Sequence, residues 1–589
     1  MLSNNNQLVN RSTRRVNSII WKRGKLCFTI TFFQTIIAIL LTLFSVYEES
    51  AEPSDRRYSS VDGFYQMSNP IERYLPNLRD HMILSLLGLG LSSTSSSATL
   101  LASLGFNLLT FTFASSWALL WPHLITSSWE SVKSEGQSRG NLTFSSSPSS
   151  SLSASSSSSS FSSSSSPFSS SSSSIPVNST VYVISSPSHD LQVKSNLSCD
   201  DYLSDLDRKK IKPTVKLSIR QSFHITLGIN SILRSAHYGL GVTLSLGSLQ
   251  GKLSPIQCII LAVIEVPIMS LTGYVLSSWQ VSDESNGLTI YTFSIYFGLS
   301  VSCIICRNIQ STHRKNQNYN SDREMSVLLG TIFIYLTFPS MTSSYSLGDK
   351  KHRLAVNTWI SVTASCLSAF SISSLLDEQD RFSVRHIRIG SSSGGVLMSI
   401  IGQYILYPYT AFISGMMIGG LSIITHIYLN PYLLNRFRIH DTLSMHATYG
   451  LPAVIAGLAS SGFAYMANEK SYDLNLYELF PARAPPENSK DLEEIQVNLH
   501  RIQAGIGRSA HSQAFYQLTG LIFILLISII TGLIAGIILI QPVFDPPDKI
   551  DLFQDGLYWV LSSEHEDTFQ SVYENEPNSE EMNNERNRR

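Results

Sequence analysis

The chain has 589 residues, a formal net charge of −1, and 43% hydrophobic but only 14% charged residues. A typical soluble domain carries about 25% charged residues, so this balance excludes an ordinary soluble protein. Mean hydropathy is only +0.08, because a long serine tract dilutes apolar stretches of helix-spanning length.

The N-terminal arm, 1–25, holds Arg11, Arg14, Arg15, Lys22, Arg23 and Lys25 and no acid. The apolar stretch at 26–47 that follows is longer than a signal peptide's apolar core, and no clear small-x-small site follows it. A retained span is expected. Two more spans are expected at 80–98 and 100–122, completing a first membrane block over 26–125.

Residues 126–213 form a long insertion, in which 24 of the 30 residues of 145–174 are serine. Such a tract buries too little apolar surface to offset its ordering entropy, so a disordered segment is expected. Asn141, Asn178 and Asn196 within it each begin an Asn-x-Ser/Thr sequon, a candidate glycan acceptor. A fourth sequon begins at Asn10.

The block 214–541 should hold nine more spans, at 225–249, 255–277, 287–306, 325–346, 354–376, 391–408, 410–429, 445–466 and 513–541. None of the clearest apolar stretches shows the continuous polar face of a soluble helix. The expectation is therefore an all-α polytopic membrane helix bundle of about twelve spans. Basic residues concentrate in the arm and in the connections 307–323 and 430–440, which places both termini in the cytosol and the serine insertion outside. A polar outward loop is expected over 468–511, and an acidic cytosolic tail over 542–589 with Glu574, Glu576, Glu580, Glu581 and Glu585.

Pro255 suits a first helical turn after the short turn 251–255. Gly415, Gly419 and Gly420 should permit close helix packing. Glu265, well inside a span, should face the bundle interior with a partner. Of the six cysteines only Cys199 falls in an outward loop, so no extracellular disulfide framework is available. Cys303 and Cys306 lie in an apolar helix with no second pair nearby, which favours packing over a metal or redox role. There is no phosphate-binding glycine loop, clustered ligand set or nucleophile–base arrangement. No enzyme activity, cofactor, metal or nucleic-acid partner is expected.

Several runs carry a resemblance: Ser103-Leu-Gly-Phe-Asn107, Gly251-Lys-Leu-Ser-Pro-Ile-Gln257, Tyr296-Phe-Gly-Leu299, His352-Arg-Leu-Ala-Val-Asn-Thr358, Gly394-Gly-Val396, Tyr428-Leu-Asn-Pro-Tyr432 and Asp441-Thr442. In this order and spacing, the chain from Asp80 to about Gln541, the serine insertion apart, resembles the Rhesus glycoprotein branch of the ammonium-transporter superfamily. The resemblance implies an eleven- or twelve-helix subunit with its own narrow apolar pore, assembled as a trimer. Homomers and heteromers with related subunits both stay open, in a plasma membrane and in contact with its lipid. It further implies ammonium recruitment at a vestibule, passage of two stacked phenylalanines, and two hydrogen-bonded imidazoles. Bare ammonium in hydrocarbon must shed a proton or find acceptors, and imidazoles supply both.

Residue by residue, the resemblance puts the vestibule acid on Asp283. A helix cap is the alternative reading of that residue. The twin histidines fall on Tyr291 and Tyr449, and the outer and inner stacked phenylalanines on His237 and Met341. His446 matches a further family histidine one turn before Tyr449, as a replacement for part of the pair or as a packing residue. Phenols, with an unperturbed pKa near 10, do not shuttle protons at physiological pH and are bulkier than imidazoles. Two functions follow: an ammonium or ammonia channel with altered or reduced conduction, open at most to neutral gases such as ammonia or carbon dioxide, or a transport-poor scaffold subunit of a Rhesus-type complex.

Overall fold

A computed structural model of the protein describes residues 24–48, 70–95, 100–126, 225–306, 321–346, 348–498, 502–547, 552, 558 and 559. The serine tract, Asn10, Asn141, Asn178, Asn196, Cys199 and the tail glutamates lie outside the described residues.

Helix α1 is Gly24–Phe44. Helix α2 starts at Pro70–Met82 and continues through a wide π-helical turn, Ile83–Gly88, into Leu89–Ser92. Then come α3 (Leu100–Ala118), α4 (Ile229–Leu249), α5 (Pro255–Ser278), α6 (Leu288–Ile305) and α7 (Ser321–Thr342). The series ends with α8 (Gly348–Leu376), α9 (Val384–Ile401), α10 (Pro408–Phe437), α11 (His446–Met466) and α12 (Ala510–Leu539).

Nine of these helices among the described residues are long and apolar enough to cross a membrane. The other three are α2, α4 and α9. Fifteen residues of α4 and fifteen of α9 are buried, so these two helices meet protein rather than lipid and can carry serine, histidine and arginine. Outward apolar side chains such as Leu336, Met417 and Leu526 remain exposed on α7, α10 and α12, as a lipid-facing surface requires.

Three expectations shift. The first span ends at Phe44 rather than 47, because β1 (Ser45–Tyr47) leaves the helix to pair in parallel with β2 (Ile225–Leu227); the fold is otherwise the helical bundle expected. The span expected at 391–408 is Val384–Ile401, because an apolar window slides away from Arg385, His386 and Arg388, which the bundle accommodates. The segment expected as a loop at 468–511 holds short helices at Glu469–Tyr472, Asn475–Leu479 and Lys490–Asn498. It packs its own cluster of Ala484, Leu492 and Ile502.

Local sequence explains several joints. Pro255 opens α5, and Ser254 caps it reciprocally: its hydroxyl accepts from the Gln257 amide at 3.3 Å while the Gln257 side chain accepts from the Ser254 amide at 2.8 Å. Gly415 and Gly419 let α10 ride against α8, since a Cβ there would stand 2.5 Å and 2.6 Å from the carbonyls of Ser361 and Ser365. Glu265 is fully buried and takes the Ser245 hydroxyl at 2.5 Å.

Candidate functional site

The helices α6 and α11 are built on one local plan. Asp283 accepts from the amides of Leu288 (3.1 Å) and Thr289 (3.3 Å). Asp441 accepts from Met445 (2.8 Å) and His446 (2.7 Å). Three residues after each acid the backbone turns left-handed, at Asn286 (φ 51°) and Ser444 (φ 58°). Asparagine tolerates that conformation through its short polar side chain, and at Ser444 the hydroxyl meets His426 Nδ1 at 2.8 Å. Each helix then opens with a π-helical turn, Leu288–Phe293 and His446–Gly450, a distortion frequent at functional sites. Eight residues after each acid stands a tyrosine, Tyr291 or Tyr449.

The two tyrosines meet. Both are buried, and their rings lie parallel, 3° apart in plane and 6.0 Å between centroids. Their hydroxyls do not pair with each other. Tyr291 donates to Met341 Sδ at 3.6 Å, with the Phe338 ring 6.5 Å away, whereas Tyr449 faces Ser392 and the Arg388 guanidinium. The stack therefore fills the space between α6 and α11 with aromatic carbon.

Asp283 works as a helix cap while keeping partial exposure. Burial pushes its carboxyl up to about 6, and the amides of Leu288, Thr289 and Gly287 pull the other way. It therefore stays mostly ionised at neutral pH, which suits a carboxylate that accepts these amides. Met341 lies against Tyr291. His237 lies elsewhere: its ring centroid is 3.9 Å from that of His81, the planes tilted by 38°, and it meets the Tyr345 hydroxyl through Nδ1 at 3.2 Å. His446 is buried with its ring edge-on to Tyr296 at 5.8 Å, a packing environment. Among the described residues no group of three or more metal-binding side chains occurs.

Sequence reasoning missed three features. Asp441 as the counterpart of Asp283 was signalled by the shared spacing of acid, left-handed residue and tyrosine. The His81–His237 pair joins α2 to α4 and had no local signal. Arg388 beside Tyr449 was hidden by the misplaced boundary of α9.

The fold and these paired, capped helices define a polytopic helical membrane protein of channel type. A family model described as Ammonium Transporter Family matches residues 201–543, and the chain belongs to that family, in its Rhesus branch. It is 32% identical over 347 residues to the mouse (Mus musculus) ammonium transporter Rh type B, covering 58% of this chain and 71% of that protein. The pig (Sus scrofa) counterpart is 32% identical over 362 residues, covering 61% and 74%. In fold, the chain is similar to Nitrosomonas europaea Rh50, with a TM-score of 0.54 at 14% identity over 85% of this chain and 96% of that one.

Proposed function

We propose that this protein is a Rhesus-type ammonium or ammonia channel subunit whose conduction is reduced because stacked phenols occupy the positions of the twin imidazoles. The observation that carries the reading is the parallel contact of Tyr291 and Tyr449, buried between the two acid-capped helices. Asp283 supplies the vestibule charge and His446 is a nearby polar ring; Met341 beside Tyr291 and His237 beside His81 are the residues at the two gate positions that the family resemblance implies. Neutral ammonia, or carbon dioxide, is the species that a proton-inert pathway suits. The alternative is a transport-poor scaffold subunit, favoured by the same aromatic plug. Stopped-flow measurement of ammonia permeability in liposomes bearing the purified protein separates the two. Permeability above that of empty liposomes supports the channel, and permeability equal to it supports the scaffold.

The plasma membrane, cytosolic termini and an outward serine insertion complete the proposal, from the six bases and no acid of the N-terminal arm. Glycosidase treatment should sharpen and lower the band of cell-expressed protein, and replacing Asn141, Asn178 and Asn196 together should abolish that shift. A shift that depends on Asn10 would reverse the orientation. The assembly proposed is a trimer, homomeric or with related subunits. Gly415 and Gly419 are already used inside the subunit, so other surfaces must make its interfaces. Crosslinking in mild detergent should stop at three subunits, and a persistent monomer would count against it.

A further inference from the structure

Arg388 is buried, 2% exposed, on the interior helix α9. Its Nη2 donates to the Leu443 carbonyl at 2.6 Å, while Nε makes no hydrogen bond. No carboxylate among the described residues forms an ion pair with it. Arg388 lines a cavity of about 10 Å³ with Ser92, Asn107, Thr243, Met445 and Tyr449. That volume is about the least that holds one water molecule.

Charges around it do not cancel this one. Asp441, Glu324 and Arg385 reach Arg388 only at longer range. The Asp441 carboxylate is taken up by the amides of Met445 and His446. A second buried cation, Lys252, sits on the same side, bonded to the carbonyls of Ser248 (2.9 Å) and His440 (2.6 Å). An arginine stays protonated in proteins, and in a water-poor interior a fixed charge acts more strongly than in solvent.

We infer that Arg388 is a cation barrier. Its guanidinium holds a positive charge against the Asp441 side of Tyr449, so that the pathway passes uncharged small molecules and turns back ammonium. This rests on the reading that Tyr291 and Tyr449 mark the pathway. Arg388 thereby sets specificity: the tyrosines limit how much passes, and the arginine limits its charge.

The test uses the full chain carrying Tyr291→His and Tyr449→His in liposomes given an ammonium chloride jump, with internal pH and charge movement recorded together. With Arg388 present, the interior should become alkaline without charge movement. Adding Arg388→Gln should bring an ammonium-evoked current at least about tenfold above background, and adding Arg388→Lys should bring none. An equal current with Arg388 in place overturns the barrier, as does no current in Arg388→Gln while alkalinisation persists. If no variant alkalinises, the pathway reading has failed, and the barrier is judged on the imidazole introduced by Tyr449→His, titrated by nuclear magnetic resonance. That ring should titrate at least about one pH unit lower with Arg388 or Arg388→Lys than with Arg388→Gln, since a like charge disfavours its protonated form. Equal titration in all three overturns the inference.

Discussion

Replacing both Tyr291 and Tyr449 by histidine should raise ammonia flux clearly above that of the unmodified protein, while either change alone does little. The two rings lie parallel at 6.0 Å and are buried, so one remaining phenol still fills most of the gap between α6 and α11. A molecule passing them must part the stack and strip Tyr291 of its contact with Met341 Sδ. A buried hydroxyl left without a partner costs on the order of 1–3 kcal/mol. A barrier lower by that much speeds passage from about fivefold to beyond about a hundredfold.

The double variant restores groups that accept and relay protons near neutral pH, and it leaves packing outside the stack alone. Trimer yield should therefore not change. Stopped-flow alkalinisation of loaded liposomes reads the result. If unmodified protein already conducts as fast as the double variant, the phenols are no plug and the scaffold alternative fails with them. If neither conducts, attention moves to Met341 and to the His81–His237 pair.

How far the site could be seen in the sequence depended on whether its signal was local. The contact of Tyr291 with Tyr449 was legible because both sit in runs that hold register with the family. The helix start at Pro255 and the glycine approaches at Gly415 and Gly419 were legible for the same reason, since a short motif carries its own geometry. The His81–His237 pair was not, because α2 and α4 are brought together by packing across the serine insertion. Arg388 was lost through hydropathy itself. Interior helices need not be apolar, so α9 reads as a weaker span starting too late, and its polar first turns look like a loop. The folded segment 468–498 escaped because its helices are too short to show periodicity.

Asp441→Ala should destabilise the protein more than Asp283→Ala, although the two acids hold equivalent places. Asp441 accepts its amides at 2.7 and 2.8 Å, against 3.1 to 3.3 Å for Asp283. Hydrogen bonds to a charged group each contribute about 1.5–3 kcal/mol, and the shorter pair belongs in the upper part of that range. The surroundings then widen the difference. Asp283 neighbours Glu284, which Lys350 pairs at 3.6 Å, so its removal relieves some repulsion. Asp441 acts on Lys252 and Arg388 from beyond ion-pair distance, so its removal withdraws part of the negative charge that offsets two buried cations. The expected loss is at least about 2 kcal/mol for Asp441→Ala, seen as a lower unfolding midpoint in detergent, with a smaller loss for Asp283→Ala. Adding Arg388→Gln to Asp441→Ala should recover part of the loss, because one of the two stranded charges goes with it. Equal losses for the two acids would mean that capping alone accounts for both. No recovery on removing the guanidinium would mean that Asp441 balances Lys252 rather than Arg388.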